Sequence, residues 1–169
     1  MTEPKRTIVA TPLSLIKAKR ARFAWDRRVP LGAPTLFAGT GGIGKSTILA
    51  WVAAGLSRGT LPGDLEGKPV LVAIIAGEDD LEATLEPRLQ AAGANMDLVW
   101  ILDGNAKDDK GNWQEQPTVE RHLGPLKETL IETGARVLIV DPVVSMQSGS
   151  SNSLSDVRRD LDPFVKFAK

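Results

Sequence analysis

Residues 36–49 read "LFAGTGGIGKSTIL" and carry four glycines in front of a lysine and two hydroxyl residues. Glycine weakens strands and helices, because it loses more backbone freedom on folding than other residues. Here the glycines follow an apolar run at residues 34–38 and precede a predicted helix over residues 45–57. A loop of this kind, at the end of a strand, lets another molecule approach the main chain closely.

The loop matches the pattern G-x-x-x-x-G-K-[ST] at every fixed position. Main-chain N–H groups and the following helix N-terminus can then bind a polyphosphate. We expect Lys45 to reach the β- and γ-phosphates and the Ser46 hydroxyl to bind Mg²⁺. By analogy with similar loops, Thr47 is assigned to the α-phosphate side. The alternative is a glycine turn that binds nothing. The predicted nucleotide-binding residues are Gly39, Thr40, Gly41, Gly42, Ile43, Gly44, Lys45, Ser46 and Thr47.

A carboxylate ends another apolar run. Residues 136–141 read "RVLIVD", with four apolar residues directly before Asp141. This is the Walker B pattern, in which the terminal carboxylate helps to hold Mg²⁺. The alternative is structural, because aspartate followed by proline commonly ends a strand and starts a turn. Beside the phosphate loop, the metal role is favoured, so Ser46 and Asp141 are the predicted metal ligands.

Three carboxylates follow a third apolar run, in "IIAGEDD" at residues 74–80. Glu78 comes first after the predicted strand, and it could polarise a water molecule in line with the γ-phosphate. We therefore predict Glu78 and Lys45 as the catalytic residues. Asp79 and Asp80 are expected to act as the N-cap and first-turn charges of the next helix. Acidic residues are common at helix starts, so a purely structural role for Glu78 stays open.

Four apolar runs predict buried strands, at residues 34–38, 70–76, 98–102 and 136–141. None of them alternates with polar residues, which favours strands covered on both faces of a parallel sheet. Helical patterns fall between the strands. The sequence therefore predicts an α/β fold, with a mostly parallel sheet flanked by helices and ligands at the carboxyl ends of the strands.

Three further helices are predicted after the first. The second has an apolar stripe, an N-cap, a glycine stop and an internal proline that should kink it or shift its start. The stripe consists of Leu81, Leu85 and Leu89. Asp80 is the N-cap, Gly93 is the stop and Pro87 is the internal proline. The third runs over residues 119–130 and is expected to break at Gly124-Pro125. The last runs over residues 157–168, behind a serine-rich loop at residues 145–156.

Composition limits the partners and the cellular location that we expect for the protein. The 169 residues include 21 basic and 21 acidic side chains, so no net field recruits nucleic acid or acidic lipid. Cysteine is absent, which excludes disulfides and thiolate metal sites. The longest apolar run is too short to cross a bilayer, and no secretion signal is visible, so a cytoplasmic location is expected.

Three quoted stretches together resemble the RepA-type branch of RecA-like P-loop ATPases, which includes plasmid and phage replicative helicases. They are "WDRRVPLGAPTLFAGTGGIGKSTILAWVAAGLSRG" (25–59), "GKPVLVAIIAGEDDLEATLEPRLQAAGA" (67–94) and "ARVLIVDPVVSM" (135–146). The resemblance implies Mg²⁺-dependent ATP hydrolysis, with Glu78 as catalytic base and Asp141 at the metal. It also implies single-stranded DNA as a partner and assembly into a hexameric ring.

The predicted chain has two parts, and its C-terminal region differs from that of the family. Residues 1–28 read as a basic N-terminal arm and residues 29–169 as the ATPase core. Relatives continue into another strand, which carries a histidine sensor of the γ-phosphate and lies between the Walker A and Walker B strands. We expect a C-terminally truncated chain with a sheet incomplete at its centre. His122 lies upstream and is interpreted as an ordinary surface or boundary residue. A non-catalytic ATP-binding or assembly module is the alternative to a working ATPase.

Other readings find weaker support. A GTPase would need N-K-x-D and D-x-x-G, whereas the chain has "NAKD" at residues 105–108 and "DPVV" after the apolar run. A small-molecule kinase would need an arginine lid, for which "VRRD" at residues 157–160 is weak support. The serine-rich loop has no basic or aromatic residue, so DNA binding depends on the resemblance and the basic arm.

Overall fold

A computed structural model describes residues 9–77, 79–102 and 119–142, together with 162, 164–166 and 168. In these residues the strands are β1 (Phe23–Trp25), β2 (Val29–Pro30), β3 (Val72–Ala76), β4 (Val99–Ile101) and β5 (Val137–Asp141). The α-helices are α1 (Lys45–Arg58), α2 (Glu86–Ala91) and α3 (Val119–Thr133). Short 3₁₀ turns lie at Leu13–Leu15 and Met96–Leu98, and a π-helical turn lies at Leu81–Leu85.

The main sheet has three parallel strands in the order β4-β3-β5. Val72 lies beside Val99 on one side and Val137 on the other, and the register with β5 continues to the pair Ala76 and Asp141. The predictions of strands within 70–76, 98–102 and 136–141 are confirmed. The α/β fold class is confirmed as well, with a parallel sheet flanked by helices, as in RecA-like P-loop proteins.

Both faces of β3 are buried, which explains its unbroken apolar sequence. Val72 and Ile74 pack into the cluster that includes Leu56 of α1 and Leu89 of α2. Ala73 and Ile75 point to the opposite face, where they pack with three residues from the C-terminal part of the chain. These are Leu126, Leu130 and Phe164. The central strand therefore separates two apolar layers, as expected for a strand in a parallel sheet.

Helix α1 is the most deeply buried helix segment that the structure describes. Ala50, Ala53 and Leu56 are almost fully buried, with Ala53 at 0% exposure. The helix ends at Gly59, whose left-handed backbone (φ 67°) lets its N–H bond the carbonyl groups of the last turn. The prediction of a helix after the glycine loop is thus confirmed, one residue longer than expected.

The predicted strand at residues 34–38 is wrong. This segment has no strand pairing among the described residues, and Leu36 is 59% exposed. The three described strands of the main sheet pair in the order β4-β3-β5 and none of them takes residues 34–38 as a neighbour, and an apolar run forms a strand only where another strand pairs with it. Segment 34–38 is apolar and precedes the glycine loop, but its residues are exposed except for the half-buried Phe37.

The hairpin of β1 and β2 lies partly in the segment predicted as the basic arm. Its strands are antiparallel, and Ala24 is 1% exposed. Three hydrogen bonds attach it to the loop after α1: the Phe23 N–H donates to the Asp64 carboxylate, the Asp64 N–H donates to the Phe23 carbonyl, and the Asp26 N–H donates to the Pro62 carbonyl. Ordered structure therefore begins before residue 29, whereas the division into arm and core stays a prediction.

The second helical region starts irregularly, as its proline suggested. The Asp80 carboxylate accepts a bond from the Ala83 N–H at 2.7 Å, so the predicted N-cap is confirmed. A π-helical turn follows, and regular α-helix begins only at Glu86. Pro87 sits in the first turn of α2, where the fixed φ of proline suits the helix.

Helix α3 is one continuous helix, so the expected break at Gly124-Pro125 is wrong. Pro125 lies inside it, and the buried Leu126 and Leu130 hold the following turns against the sheet. Of the last predicted helix, the described part includes a helical bond from the Ala168 N–H to the Phe164 carbonyl. The serine-rich loop and the side chain of His122 lie outside the described residues. No helix in the described ranges has the length and apolar character of a membrane span.

Candidate phosphate-binding and metal site

The glycine loop adopts backbone conformations that require glycine at two positions. Gly42 and Gly44 have φ angles of 78° and 89°, in the left-handed region that side chains disfavour. Gly44 is the N-cap of α1, and no side chain caps the helix there. The first-turn N–H groups of α1 are therefore open toward the loop, which is the arrangement that favours an anion.

Lys45 lies against the loop that precedes it. Its ammonium donates to the carbonyl oxygens of Gly39 and Thr40, at 2.9 Å each. An ammonium group has three donors, so these bonds use two of them. The lysine thereby places one positive charge at the mouth of the loop, next to the helix N-terminus and its partial positive charge.

The close approach of Ile43 to Gly39 shapes the rest of the loop. A Cβ atom at Gly39 would lie 2.2 Å from Cδ1 of Ile43, so a side chain there would force Ile43 to move. Ile43 itself is 59% exposed. The other members of the predicted set lie along the open surface of the loop and the first turn of α1: Thr40, Gly41, Gly42 and Thr47 are exposed.

A small pocket joins the two predicted metal ligands. Ser46 at the start of α1 and Asp141 at the end of β5 both line it, together with Ala76, which pairs with Asp141 at the end of β3. The Asp141 carbonyl also accepts a bond from the Gly77 N–H at 2.9 Å. Parallel strands end at the same edge of the sheet, so this topology brings distant sequence positions to one site.

The residues of this pocket fit a magnesium ion shared with a nucleotide. Mg²⁺ prefers oxygen ligands and usually takes only one or two from the protein, with phosphates and water as the others. A hydroxyl and a carboxylate meet that requirement here. Among the described residues, no group of three or more acidic, histidine or cysteine side chains could hold a metal by itself.

Asp79 also lines the pocket, although the sequence predicts a role for it at the start of the next helix. It was expected to serve the helix start, but Asp80 alone provides the cap. Asp79 instead lines the pocket with Ser46 and Asp141, and its carboxylate pairs with the guanidinium of Arg88. The two residues are nine positions apart across an irregular turn, so no regular helical spacing could have indicated the pair.

Glu78 lies outside the described residues, so its prediction as catalytic base stays a prediction. Its neighbours are anchored at the edge of the sheet. Gly77 is bonded to Asp141, Asp79 is paired with Arg88, and Asp80 caps the following turn.

Comparison with known proteins gave one family and no individual relatives. The family model described as an AAA domain (AAA_25) matches residues 10–169. No curated protein and no solved structure matched the chain. The match covers most of the sequence, including the glycine loop, Asp141 and the segment between them. The chain therefore belongs to the AAA-domain family of P-loop ATPases.

Proposed function

We propose that this chain binds Mg²⁺-ATP at residues 39–47 and hydrolyses it as a RecA-like, DNA-dependent ATPase of the helicase type. The observation that carries the proposal is the Lys45 ammonium between two loop carbonyls at the head of α1, beside a pocket lined by Ser46 and Asp141. A positive charge, free helix N–H groups and two oxygen ligands together suit a triphosphate and its metal.

Each group has a distinct task in this proposal. Lys45 and the loop N–H groups bind the β- and γ-phosphates and stabilise the charge that develops on them. Ser46 and Asp141 hold Mg²⁺, which neutralises phosphate charge when bound. Glu78 accepts a proton from a water molecule while the oxygen of that water attacks the γ-phosphorus. The bond from that phosphorus to the bridging oxygen breaks, and ADP and phosphate leave.

The helicase type is supported by the combination of the glycine loop, "GEDD" and "VDP" in one chain. Single-stranded DNA and a hexameric ring are proposed on the same resemblance. The basic segment at residues 1–30, with eight Lys and Arg residues against two acidic ones, is the part of the sequence best suited to phosphate backbones. A non-catalytic ATP-binding module is the competing function.

Steady-state ATP turnover separates the two functions. The Glu78→Gln variant should bind Mg²⁺-ATP like the wild type but lose about 100-fold or more in turnover, because only the proton acceptor is removed. Glu66→Gln is the matched control, since Glu66 is exposed on the loop after α1. Equal turnover in wild type and Glu78→Gln would remove the catalytic assignment. A wild type that binds ATP without any turnover would favour the non-catalytic module.

The same assay tests the nucleic-acid and base preferences. Single-stranded DNA should raise the turnover of the wild type, and GTP should be a poorer substrate than ATP. An ATP turnover rate that is the same with and without DNA over a range of salt concentrations would contradict the DNA-dependent class.

Magnesium dependence tests the metal assignment. ATP affinity is measured by calorimetry with Mg²⁺ and with excess chelator, for the wild type, Ser46→Ala and Asp141→Asn. Both variants should lose most of the enhancement that Mg²⁺ gives, while their affinity without metal stays close to that of the wild type. Asp97→Asn, at an exposed position, is the control. An unchanged enhancement in Asp141→Asn would exclude that carboxylate from the metal site.

A further inference from the structure

The solvent-facing side of α1 carries large apolar side chains directly beyond the phosphate loop. Most of this helix is buried, but Thr47, Ile48, Trp51 and Arg58 are exposed. Trp51 is 48% exposed and Ile48 is 42% exposed. Polar side chains are expected on the outer face of a surface helix, so an indole ring at its centre indicates a binding surface.

The ring of Trp51 is held in place rather than free in solvent. It packs edge-on against Trp25 of β1, with the ring centroids 5.3 Å apart and the planes at 61°. The guanidinium of Arg28 lies 4.8 Å from the centroid of the Trp25 ring. A hairpin anchored at the loop after α1 thus supports an aromatic side chain that keeps about half of its surface accessible. A ring fixed in this way loses little entropy when a ligand stacks on it.

Trp51 lies within reach of a nucleotide bound at the loop. Residues four apart are neighbours on one face of a helix, and their rise along the axis is about 6 Å. Thr47, which we assign to the α-phosphate side, therefore lies one turn before Trp51. Thr47 and Trp51 are both exposed on α1, so a base attached to an α-phosphate at Thr47 can reach the indole ring.

We propose that Trp51, supported by Trp25, is the stacking platform for the nucleobase of the bound ATP. This subsite rests on the proposed phosphate-loop function and adds base recognition to it. The accessible part of one indole ring matches a single planar heterocycle, and stacking on aromatic rings is a general way to bind a base. The phosphate site one turn away makes a nucleotide the favoured occupant over another copy of this chain.

Calorimetry with two ligands tests the platform. Mg²⁺-ATP and Mg²⁺-tripolyphosphate are each titrated into the wild type and into Trp51→Ala, Trp51→Phe and Trp100→Ala. Tripolyphosphate has the phosphates but no base. We expect Trp51→Ala to weaken ATP binding by about tenfold and to leave tripolyphosphate binding unchanged, because only stacking is lost. Trp51→Phe keeps an aromatic ring and should recover most of the ATP affinity.

The control and the contrary results are distinct. Trp100 is also half-exposed, at 44%, but lies on β4, so Trp100→Ala should change neither affinity. Equal weakening of both ligands in Trp51→Ala would overturn the platform, because the change would then act through the loop. If Trp51→Ala keeps the wild-type affinity for ATP but has a lower molecular mass in solution than the wild type, the platform is wrong and the surface mediates contacts between copies of this chain. Failure of tripolyphosphate to bind the wild type would contradict the phosphate-loop proposal itself.

Discussion

Adjacent acidic residues at the edge of the sheet have different tasks, although they look alike in the sequence. Asp80 accepts the Ala83 N–H and starts the second helical region. Asp79 turns the other way, pairs with Arg88 and lines the pocket that contains Ser46 and Asp141. The pair connects the segment after β3 to α2, and it fixes a carboxylate beside the proposed metal site.

A double-mutant cycle measures this pair. Asp79→Asn and Arg88→Gln should each destabilise the fold, and the double variant should lose less than the sum of the two. The coupling should be about 1 kcal/mol, because both side chains are partly exposed, at 30% and 27%, and water screens the interaction. Urea unfolding of the four proteins gives the value. Strictly additive losses would show that the two charges do not interact in solution.

Sequence motifs predict which residues meet at the site, whereas the roles of these residues stay predictions. The loop motif indicates Lys45 and Ser46, and the carboxylate after an apolar run indicates Asp141; the lysine lies at the loop, and the other two share a pocket. The contact between Asp79 and Arg88 was not predictable. It depends on a π-helical turn, whose extra residue per turn shifts the side chains away from regular helical positions.

At the scale of elements, strand prediction succeeded where pairing partners exist. The apolar runs that became β3, β4 and β5 lie side by side, and each fills a place in one sheet. Segment 34–38 has a similar apolar composition but no neighbouring strand among the described residues. Composition reports what a segment could bury, whereas pairing depends on which strands the fold brings together.

A pair of substitutions tests the exposure of segment 34–38. Leu36→Gln should change the free energy of unfolding by no more than about 0.5 kcal/mol, because the leucine side chain is already largely in water. Ile74→Gln is the contrast. That side chain is 3% exposed in the centre of β3, and an amide there should cost about 3 kcal/mol or more. Chemical denaturation of both variants provides the comparison. A loss from Leu36→Gln as large as that from Ile74→Gln would place residue 36 in a buried strand.

For the molecule as a whole, the parallel sheet is what makes a site from separate parts of the sequence. The glycine loop, the segment after β3 and the end of β5 are far apart in the chain, yet β3 and β5 end together beside the start of α1. The fold class and this meeting point were predictable, because unbroken apolar runs with helices between them permit few topologies. The break expected in α3 did not occur, since tertiary packing of Leu126 and Leu130 outweighs the local effect of Pro125.

The central claim is that the charge of Lys45 and the loop around it bind the triphosphate of ATP. Isothermal titration calorimetry of Mg²⁺-ATP into wild type, Lys45→Ala and Lys127→Ala tests it most directly, with Lys127 as an exposed lysine of α3. The account predicts clear binding by wild type and Lys127→Ala, and a loss of about 10- to 100-fold in Lys45→Ala, because a charge-assisted contact is removed. Equal affinity in all three folded proteins, or no heat from the wild type at millimolar Mg²⁺-ATP, would contradict it.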